Sequence, residues 1–332
     1  MSIRLSGSAR EDFERVDAWV RSDVAEAIVI ETSGSTGVPK QVELSQSAVV
    51  ASARASLERL GGPGQWLLAL PTTTVAGLQV LVRSALADIE PVFAAEHPDV
   101  RAAMTALTGE RTYASFVPTQ LFRLLDEGCG AQVAAFDAIL VGGAATPAPL
   151  VERAQAAGVR LVRTYGMSET CGGCVYDGVP LDGVQVRIVE GVIEIAGPIL
   201  FDGYTGVART GDWFTTSDLG DFDATGSLRV LGRSDDVAIS GGINVPLGAV
   251  ERVLSDVLTV KEVAVVGLPD AEWGQRITAV VVGSLGLDEA RRAVDAAGLP
   301  HAWAPKEIRL ADDLPRLPGG KVNKRALADS LT

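Results

Sequence analysis

Cysteine and histidine are scarce in this chain of 332 residues, which has three cysteines and two histidines. Cys171 and Cys174 form a CxxC pair, a spacing found in redox dithiols and in halves of zinc sites. A structural zinc ion needs four ligands, and His97 and His301 lie far from this pair in sequence. The composition therefore favours reduced, incidental thiols over a zinc site or a redox dithiol.

Long apolar runs are also missing. The N-terminal segment has no apolar core of a secretory signal. The longest uncharged stretch, between Arg59 and Arg83, contains glycines, prolines and three consecutive threonines, which a membrane helix rarely tolerates. We therefore expect a soluble, cytoplasmic protein with no membrane insertion.

Positive charge is in short supply as well. The chain has 29 Lys and Arg against 42 Asp and Glu, a formal net charge of −13. A nucleic-acid binder concentrates cations on one face, so nucleic acid is not an expected partner. Only five of the cations are lysines, and two of these, Lys40 and Lys321, lie in glycine-containing loops, which indicates specific tasks for them.

What is present is a pattern of short β-branched runs alternating with stretches of helical period, typical of an α/β fold. The predicted helices are Ser47–Leu60, Pro118–Leu125, Pro147–Ala157, Pro246–Leu258 and Leu287–Ala297. The predicted strands are Glu26–Glu31, Trp66–Leu70, Ala138–Val141, Arg160–Thr164, Val184–Val189, Val192–Ala196, Ser227–Leu231, Glu262–Val266, Ile277–Val282 and one near Ile308.

These elements predict two domains. We expect a large layered α/β N-terminal domain over residues 1–234, with a small β-subdomain at about 184–232. A small, mobile α+β C-terminal domain is expected over residues 235–332.

The strongest local signal is the loop that follows the first predicted strand. It is made of Thr32, Ser33, Gly34, Ser35, Thr36, Gly37, Val38, Pro39 and Lys40. Glycines that expose backbone N–H groups, four hydroxyls and one mobile cation together suit polyphosphate oxygens. The loop does not fit the Walker A pattern, and the alternative interpretation is a flexible surface loop.

Further candidates are weaker on their own. Tyr165, Ser168 and Glu169 place a ring, a hydroxyl and a carboxylate on one turn after a strand, suited to a purine and to Mg²⁺ on phosphates. Gly142–Gly143 allows close approach of a planar ligand, or simply a tight strand-to-helix turn. Asp218 and Arg233 could hold ribose hydroxyls or be ordinary surface charges, and Lys321 could be a solvated lysine near the C-terminus.

Taken together and in order, these segments resemble the adenylate-forming superfamily of acyl- and aryl-CoA synthetases, adenylation domains and luciferases. The segments that carry the resemblance are TSGSTGVPK, GGA, YGMSE, TTSDLG, GRSDD with ISGG, and PRLPGGK. It covers nearly the whole chain from about residue 28. Within the superfamily the chain is most similar to the o-succinylbenzoate–CoA ligases of menaquinone biosynthesis, through YASFVPTQLFR, VAGLQ and the GGAA form of the turn.

The resemblance implies a two-step reaction that uses ATP, Mg²⁺ and CoA. A carboxylate attacks the α-phosphate of ATP to give an acyl-adenylate and pyrophosphate, and a thiol then displaces AMP. It implies phosphate contacts for the loop from Thr32 to Gly37, for Lys40 and for Ser168. It implies that Glu169 ligates Mg²⁺ and that Lys321 neutralises charge at the α-phosphate. The residues implied at the adenine and ribose are Gly142, Gly143, Ala144, Tyr165, Gly166, Met167, Asp218 and Arg233.

The remaining implied residues belong to the acid and the thiol. Arg123 is the preferred partner of the second carboxylate of an aromatic dicarboxylate, near Thr74, Thr119 and Gln120, although a surface arginine on an exposed helix face is the alternative. Asp235 matches the hinge position, and Gly241 with Gly242 would line the thiol channel.

Two departures from the family pattern stand out. Thr74 replaces the histidine or aromatic residue of many relatives, which puts a gating role there in doubt. The chain also lacks residues that longer members place before the phosphate loop, and we expect the shorter N-terminal domain to expose a face that forms a homodimer.

Three functions remain open from the sequence. The first is an o-succinylbenzoate–CoA ligase. The second is another acyl- or aryl-CoA synthetase or a stand-alone adenylation domain. The third is an inactive nucleotide-binding protein, which the retention of Lys40, Glu169, Asp218, Arg233 and Lys321 disfavours.

Overall fold

The computed structural model describes residues 2–23, 26–32, 40–316 and 322–332. Its helices, in chain order, are α1 (Ala9–Arg21), α2 (Gln46–Leu60), α3 (Val75–Ala87), α4 (Val100–Thr105), α5 (Pro118–Asp126), α6 (Gly130–Ala134), α7 (Ala148–Ala156), α8 (Leu247–Ser255), α9 (Leu287–Ala296) and α10 (Lys324–Leu331). Its strands are β1 (Ser2–Ile3), β2 (Ala27–Thr32), β3 (Lys40–Leu44), β4 (Gln65–Leu68), β5 (Val92–Phe93), β6 (Thr112–Phe116), β7 (Ala138–Val141), β8 (Leu161–Met167), β9 (Gly172–Tyr176), β10 (Val179–Pro180), β11 (Gln185–Val189), β12 (Val192–Ala196), β13 (Gly203–Tyr204), β14 (Val207–Ala208), β15 (Trp213–Phe222), β16 (Leu228–Arg233), β17 (Val237–Ser240), β18 (Ile243–Pro246), β19 (Val260–Asp270), β20 (Gly274–Gly283) and β21 (Glu307–Leu310).

The largest sheet has seven strands in the order β10-β9-β8-β7-β6-β4-β5. Strands β5, β4, β6, β7 and β8 run parallel, and β9 and β10 add antiparallel to the β8 edge. All four residues of β7 are buried, because helices cover a parallel sheet on both faces and its strands become continuously apolar.

A five-stranded sheet, β1-β2-β3-β13-β14, lies beside it. Its inward side chains, including Ile28, Ile30 and Val42, share one core with α1, α2 and α3. The long antiparallel strand β15 pairs with β12 and β16 in a four-stranded sheet that begins with β11.

The last part of the chain forms a fourth sheet, with β18, β17, β20 and β19 in order and β21 against β20. Val250, Leu254 and Ile277 belong to its main core. The predicted α/β class, with a large N-terminal and a small C-terminal unit, is confirmed. The division at 234/235 falls between the end of β16 and the start of β17 and stays a prediction.

Every predicted strand and helix has a counterpart displaced by at most a few residues. Among the elements that the prediction missed are α1, α3 and β15. In α3, nine of thirteen residues are buried, so the helix shows no polar face from which a period could be recognised. Among the described residues, no helix is both long enough and apolar enough to cross a membrane.

Candidate functional site

Several of the predicted site residues lie at one edge of the seven-stranded sheet. The carboxyl ends of parallel strands meet at the same edge, and ligands of open α/β sheets bind in the crevice outside it. In register, Phe116 of β6 pairs with Val141 of β7, and Val141 pairs with Arg163 of β8. The segments that leave β6 and β7 here contain Thr119, Gln120, Gly142 and Gly143, and the end of β8 with the turn after it contains the stretch from Tyr165 to Ser168.

Gly142 and Gly143 make a turn that presses against the neighbouring strand. A Cβ atom at Gly142 would lie 2.2 Å from Oγ1 of Thr164, and Gly143 has a φ of +80°. Both positions therefore require glycine for local reasons, as the tight-turn interpretation predicts. Ala144, next in the chain, is exposed.

Gly166 is enclosed even more tightly. A Cβ atom there would lie 2.0 Å from the carbonyl oxygen of Gly172, where the register of β8 and β9 shifts. Thr170 accepts a hydrogen bond from the Met167 amide at 2.9 Å, so the turn after β8 is closed by its own side chain.

The ring of Tyr165 is tied to the predicted ribose residue. Its hydroxyl donates to Oδ2 of Asp218 at 2.8 Å. Burial, followed by the charge of Asp218, raises the pKa of Tyr165 far above its usual range. Asp218 is itself buried, and its amide donates to Thr216. The phenol therefore stays a proton donor to a fixed carboxylate.

Arg233 joins the same group from the next strand. It is the cross-strand partner of Asp218, and its guanidinium lies 3.6 Å from Oδ1 of that carboxylate. It also makes two hydrogen bonds to Asp235, at 2.7 and 2.8 Å. The predicted ribose pair and the predicted hinge residue thus form one charged cluster.

Glu169 belongs to a second cluster, which includes Lys40 at the end of the predicted phosphate loop. Tyr204 donates its hydroxyl to Oε1 of Glu169 at 2.9 Å, and the Nζ atom of Lys40 lies 5.2 Å from the centre of the Tyr204 ring. Lys40 pairs across the strands with Thr32. Burial and the charge of Glu169 raise the pKa of Tyr204 above its usual range.

Sequence analysis missed Tyr204. Its position comes from β13, in which Gly203 pairs with Glu43 and Tyr204 with Val42 of β3. This is a pairing of segments far apart in the chain, and no local pattern around Tyr204 indicates it.

Several predicted residues lie outside the described part of the chain. These are Ser33, Gly34, Ser35, Thr36, Gly37 and Lys321. Ser168, by contrast, is described and buried at the start of a short 3-10 turn that ends at Thr170.

The predicted acid-binding residues have mixed surroundings. Thr74 caps α3, since its hydroxyl oxygen accepts from the Gly77 amide at 3.2 Å. Gln120 uses both ends of its amide, accepting from the Val117 amide and donating to the Ala69 carbonyl, each at 3.0 Å. Thr119 and Arg123 are exposed on α5. Gln120 therefore fixes the start of α5. Arg123 lies at the surface, which is where the alternative interpretation, a surface arginine on an exposed helix face, places it.

Arg83 is a buried cation that sequence analysis did not single out. Only 3% of it is exposed, and its guanidinium lies over the ring of Trp66 at 4.9 Å. Burial lowers the pKa of Arg83. No carboxylate of the described ranges lies within ion-pair distance of it, and its Nε atom has no hydrogen-bond partner there. Arg83 lies inside a fully buried helix segment, and no pattern in the sequence around it indicates that it is buried.

The predicted thiol-channel glycines form the tight turn between β17 and β18. Gly241 and Gly242 have φ values of +59° and +78° and are exposed. The Gly241 amide donates to the carbonyl of Trp273 at 2.8 Å, and a Cβ atom at Gly241 would lie 3.1 Å from the Trp273 ring.

The three cysteines are free and buried. Burial raises the pKa of Cys174 to about 12 and that of Cys171 further, which makes both poor nucleophiles. Within the described ranges no group of three or more His, Cys, Asp or Glu side chains could hold a metal ion.

Comparison with known proteins relates most of the chain to one family of enzymes. Residues 8–205 match the model of the AMP-binding enzyme family, and residues 249–321 match that of the AMP-binding enzyme C-terminal domain. A probable 2-succinylbenzoate–CoA ligase of Mycobacterium tuberculosis is 43% identical over 94% of this chain and 86% of its own length. The 2-succinylbenzoate–CoA ligase of Listeria monocytogenes is 32% identical over 98% of this chain and 75% of its own length.

Solved structures with a similar fold include enzymes related to these. The o-succinylbenzoate CoA synthetase from Bacillus subtilis, in complex with the acyl-adenylate intermediate OSB-AMP, has a TM-score of 0.77 at 29% identity and covers 90% of this chain and 68% of that chain. ATP-bound MatB from Rhodopseudomonas palustris has a TM-score of 0.77 at 27% identity, with coverages of 91% and 67%.

Proposed function

Because this chain belongs to the AMP-binding enzyme family, we propose that it is an AMP-forming acid–CoA ligase that converts o-succinylbenzoate to its CoA thioester in menaquinone biosynthesis. The observation that carries the proposal is the contact of Tyr165 with Asp218 and of Asp218 with Arg233, at the sheet edge where this fold binds ligands. The similarity to 2-succinylbenzoate–CoA ligases through nearly the whole chain supports the choice of acid.

In the first half-reaction the nucleotide lies along the sheet edge. The Tyr165 ring, with Gly142 and Gly143 beside it, frames the adenine, and Asp218 with Arg233 accepts the ribose hydroxyls. The Tyr165 hydroxyl already donates to Asp218 at 2.8 Å, so the carboxylate that receives the ribose is oriented before ATP arrives. Positioning of this kind reduces the entropic cost of bringing the reacting groups into the right geometry at the moment of reaction.

Magnesium is part of the proposal, with Glu169 as its protein ligand. Mg²⁺ in nucleotide sites keeps several waters and is held by one or two carboxylates together with phosphate oxygens. A single carboxylate, half-buried and oriented by the Tyr204 hydroxyl, fits that role. When bound, the ion would neutralise phosphate charge.

Lys40 and Lys321 supply the mobile positive charge. We assign Lys40, at the end of the loop that starts at Thr32, to the outer phosphates. Lys321 would neutralise the charge that develops at the α-phosphate and the attacking carboxylate, an electrostatic task for which one lost donor typically costs about 10²–10³ in rate.

The second carboxylate of o-succinylbenzoate needs a cationic partner, because a buried unpaired charge is costly. We assign it to Arg123, which is exposed on α5 one turn after the start of the helix at the sheet edge. Thr119 lies four residues earlier, one turn before Arg123 on the same helix, and is also exposed.

The thioester step places the pantetheine chain of CoA beside Gly241 and Gly242, after rotation of residues 235–332 about Asp235. A hinge needs only a few residues that absorb a change in φ and ψ. Because ATP and CoA are substrates, we place the reaction in the cytoplasm. A homodimer stays a prediction, to be checked by light scattering.

The deciding experiment measures pyrophosphate release with ATP and Mg²⁺ across o-succinylbenzoate, benzoate, a medium-chain fatty acid and acetate, with and without CoA. Thioester products are identified by mass. We expect release and a thioester with o-succinylbenzoate alone. Release with another acid of the panel would favour the second function, a different acyl- or aryl-CoA synthetase. Bound nucleotide with no release for any acid would favour the inactive nucleotide-binding protein.

A further inference from the structure

Lys324 is the first residue of α10 and makes two short ion pairs. Its Nζ atom lies 2.6 Å from Oδ2 of Asp236 and 2.8 Å from Oε2 of Glu251. All three side chains are more than two-thirds buried. Burial by itself disfavours the ammonium, but Glu251 and Asp236 outweigh it, so the pKa of Lys324 lies above its usual value. We call these three residues the ammonium clamp.

The clamp connects three separate elements. Asp236 stands directly before β17, Glu251 lies on α8, and Lys324 begins α10. Glu251 also accepts a hydrogen bond from the Val265 amide of β19 at 3.0 Å. The start of α10 is therefore fixed to the core of the C-terminal sheet through charged groups.

The clamp has a distinct position along the chain. Asp236 follows Asp235, the predicted hinge residue, and Lys324 lies three residues after Lys321. The neighbouring residues are fixed as well, since Arg316 bridges to Val322 and the Asn323 amide donates to the carbonyl of Pro315 at 2.7 Å. The Lys324 side chain reaches from this region to Asp236, the residue beside the predicted hinge.

We propose that Lys324 is a positioning residue for the first half-reaction. Through its ion pairs with Asp236 and Glu251, Lys324 makes the segment after the hinge and the segment that bears Lys321 move as one body. This rests on the proposed function, in which Lys321 acts during adenylation and is withdrawn for thioester formation. A charge placed about 1 Å away from its working position can cost about 10² in rate, so loss of the clamp should affect adenylation selectively.

The test compares Lys324→Met with Lys324→Arg and with Arg325→Met, an exposed cation at the next position of α10. Adenylation is measured as pyrophosphate release, and the second half-reaction as thioester formation from supplied acyl-adenylate and CoA. For Lys324→Met we expect at least about a tenfold fall in the adenylation kcat, with the KM for ATP and the second half-reaction nearly unchanged. Lys324→Arg should recover most of the rate, and Arg325→Met should match the unaltered protein.

A second variant guards against unfolding by unpaired carboxylates. The combined change of Asp236→Asn, Glu251→Gln and Lys324→Met leaves no buried charge without a partner, and it should show the same selective loss. An equal fall in both half-reactions of both variants, by unfolding or otherwise, would make Lys324 merely structural and overturn the proposal. An unchanged adenylation rate would overturn it too.

Hydrogen exchange gives a readout that needs no turnover. The amides of Arg316, Val322, Asn323 and Lys324 should exchange faster in Lys324→Met than in Arg325→Met, and equal exchange would refute the anchoring. If the unaltered protein makes no thioester from o-succinylbenzoate, the proposed function fails by itself. The clamp is then assayed with whichever acid of the panel releases pyrophosphate, and by exchange if none does.

Discussion

The Tyr165 hydroxyl donates a 2.8 Å hydrogen bond to Oδ2 of Asp218, and Arg233 approaches the other oxygen of the same carboxylate at 3.6 Å. Asp218 is buried between a phenol that stays protonated and a guanidinium that stays charged. Its orientation is therefore set by groups on two different strands, β8 and β16.

Tyr165→Phe should weaken ATP binding. It removes the hydrogen bond that orients the Asp218 carboxylate, and because a hydrogen bond to a charged group is typically worth about 1.5–3 kcal/mol, we expect the KM for ATP to rise by up to about tenfold. Steady-state kinetics with varied ATP measures it. Tyr113→Phe is the matched control, since Tyr113 is a buried tyrosine whose hydroxyl donates to the carbonyls of Leu60 and Gly62. An equal rise in both variants would contradict the role of Tyr165.

Lys321→Ala should separate the two half-reactions. Adenylation, followed as pyrophosphate release, should slow by about 10² or more because charge at the α-phosphate is no longer neutralised. Thioester formation from supplied acyl-adenylate should be nearly unaffected. Equal losses in both steps would remove Lys321 from the role proposed for it.

Arg123→Ala should act on the acid and not on the nucleotide. We expect the KM for o-succinylbenzoate to rise about tenfold, the value of one charge-assisted hydrogen bond, while the KM for ATP stays constant. Arg153→Ala on the neighbouring helix α7 is the control, because Arg153 is partly exposed and pairs with Asp126 of α5 at 3.5 Å. An unchanged KM for the acid would move the second carboxylate to another residue.

The buried thiols predict how stability depends on pH. The folded chain keeps the Cys174 proton up to about pH 12, whereas an unfolded thiol loses it near pH 8.5. Between these values the unfolded state binds fewer protons, so the free energy of unfolding falls as pH rises, by up to about 1.4 kcal/mol per pH unit for this group. When the free energy of unfolding is measured with urea between pH 8 and 11, it should fall less with rising pH for Cys174→Ala than for the unaltered protein. An identical slope would show that the thiol does not titrate differently in the two states.

Much of the fold and of the candidate nucleotide site could be predicted from local patterns. The strand Ala138–Val141 and the turn at Gly142 are signalled by adjacent residues, because an apolar run followed by glycines describes a buried strand and a sharp turn. The same holds for the strand that carries Tyr165. Local signals suffice wherever a motif is contiguous in sequence.

The contacts that complete the site are not contiguous. Tyr204 reaches Glu169 because β13 pairs with β3, and Arg83 is buried because both faces of α3 are covered. Such positions depend on which distant segments pack together, and neither hydrophobic period nor composition encodes that. Arg123 stays a prediction for the same reason, since its exposure on α5 is compatible with a substrate contact and with a surface arginine.

The two crowded glycines restrict how the acid specificity of this protein could be re-engineered. Gly142 and Gly166 have no room for a methyl group against Thr164 and Gly172, so a mutant library that varies them would mostly collect misfolded variants. Thr119 and Arg123 are exposed on a helix whose start Gln120 already fixes. If these two positions contact the acid as proposed, diversity directed to them would alter the surface offered to a new acid while leaving the proposed nucleotide edge of the sheet unchanged.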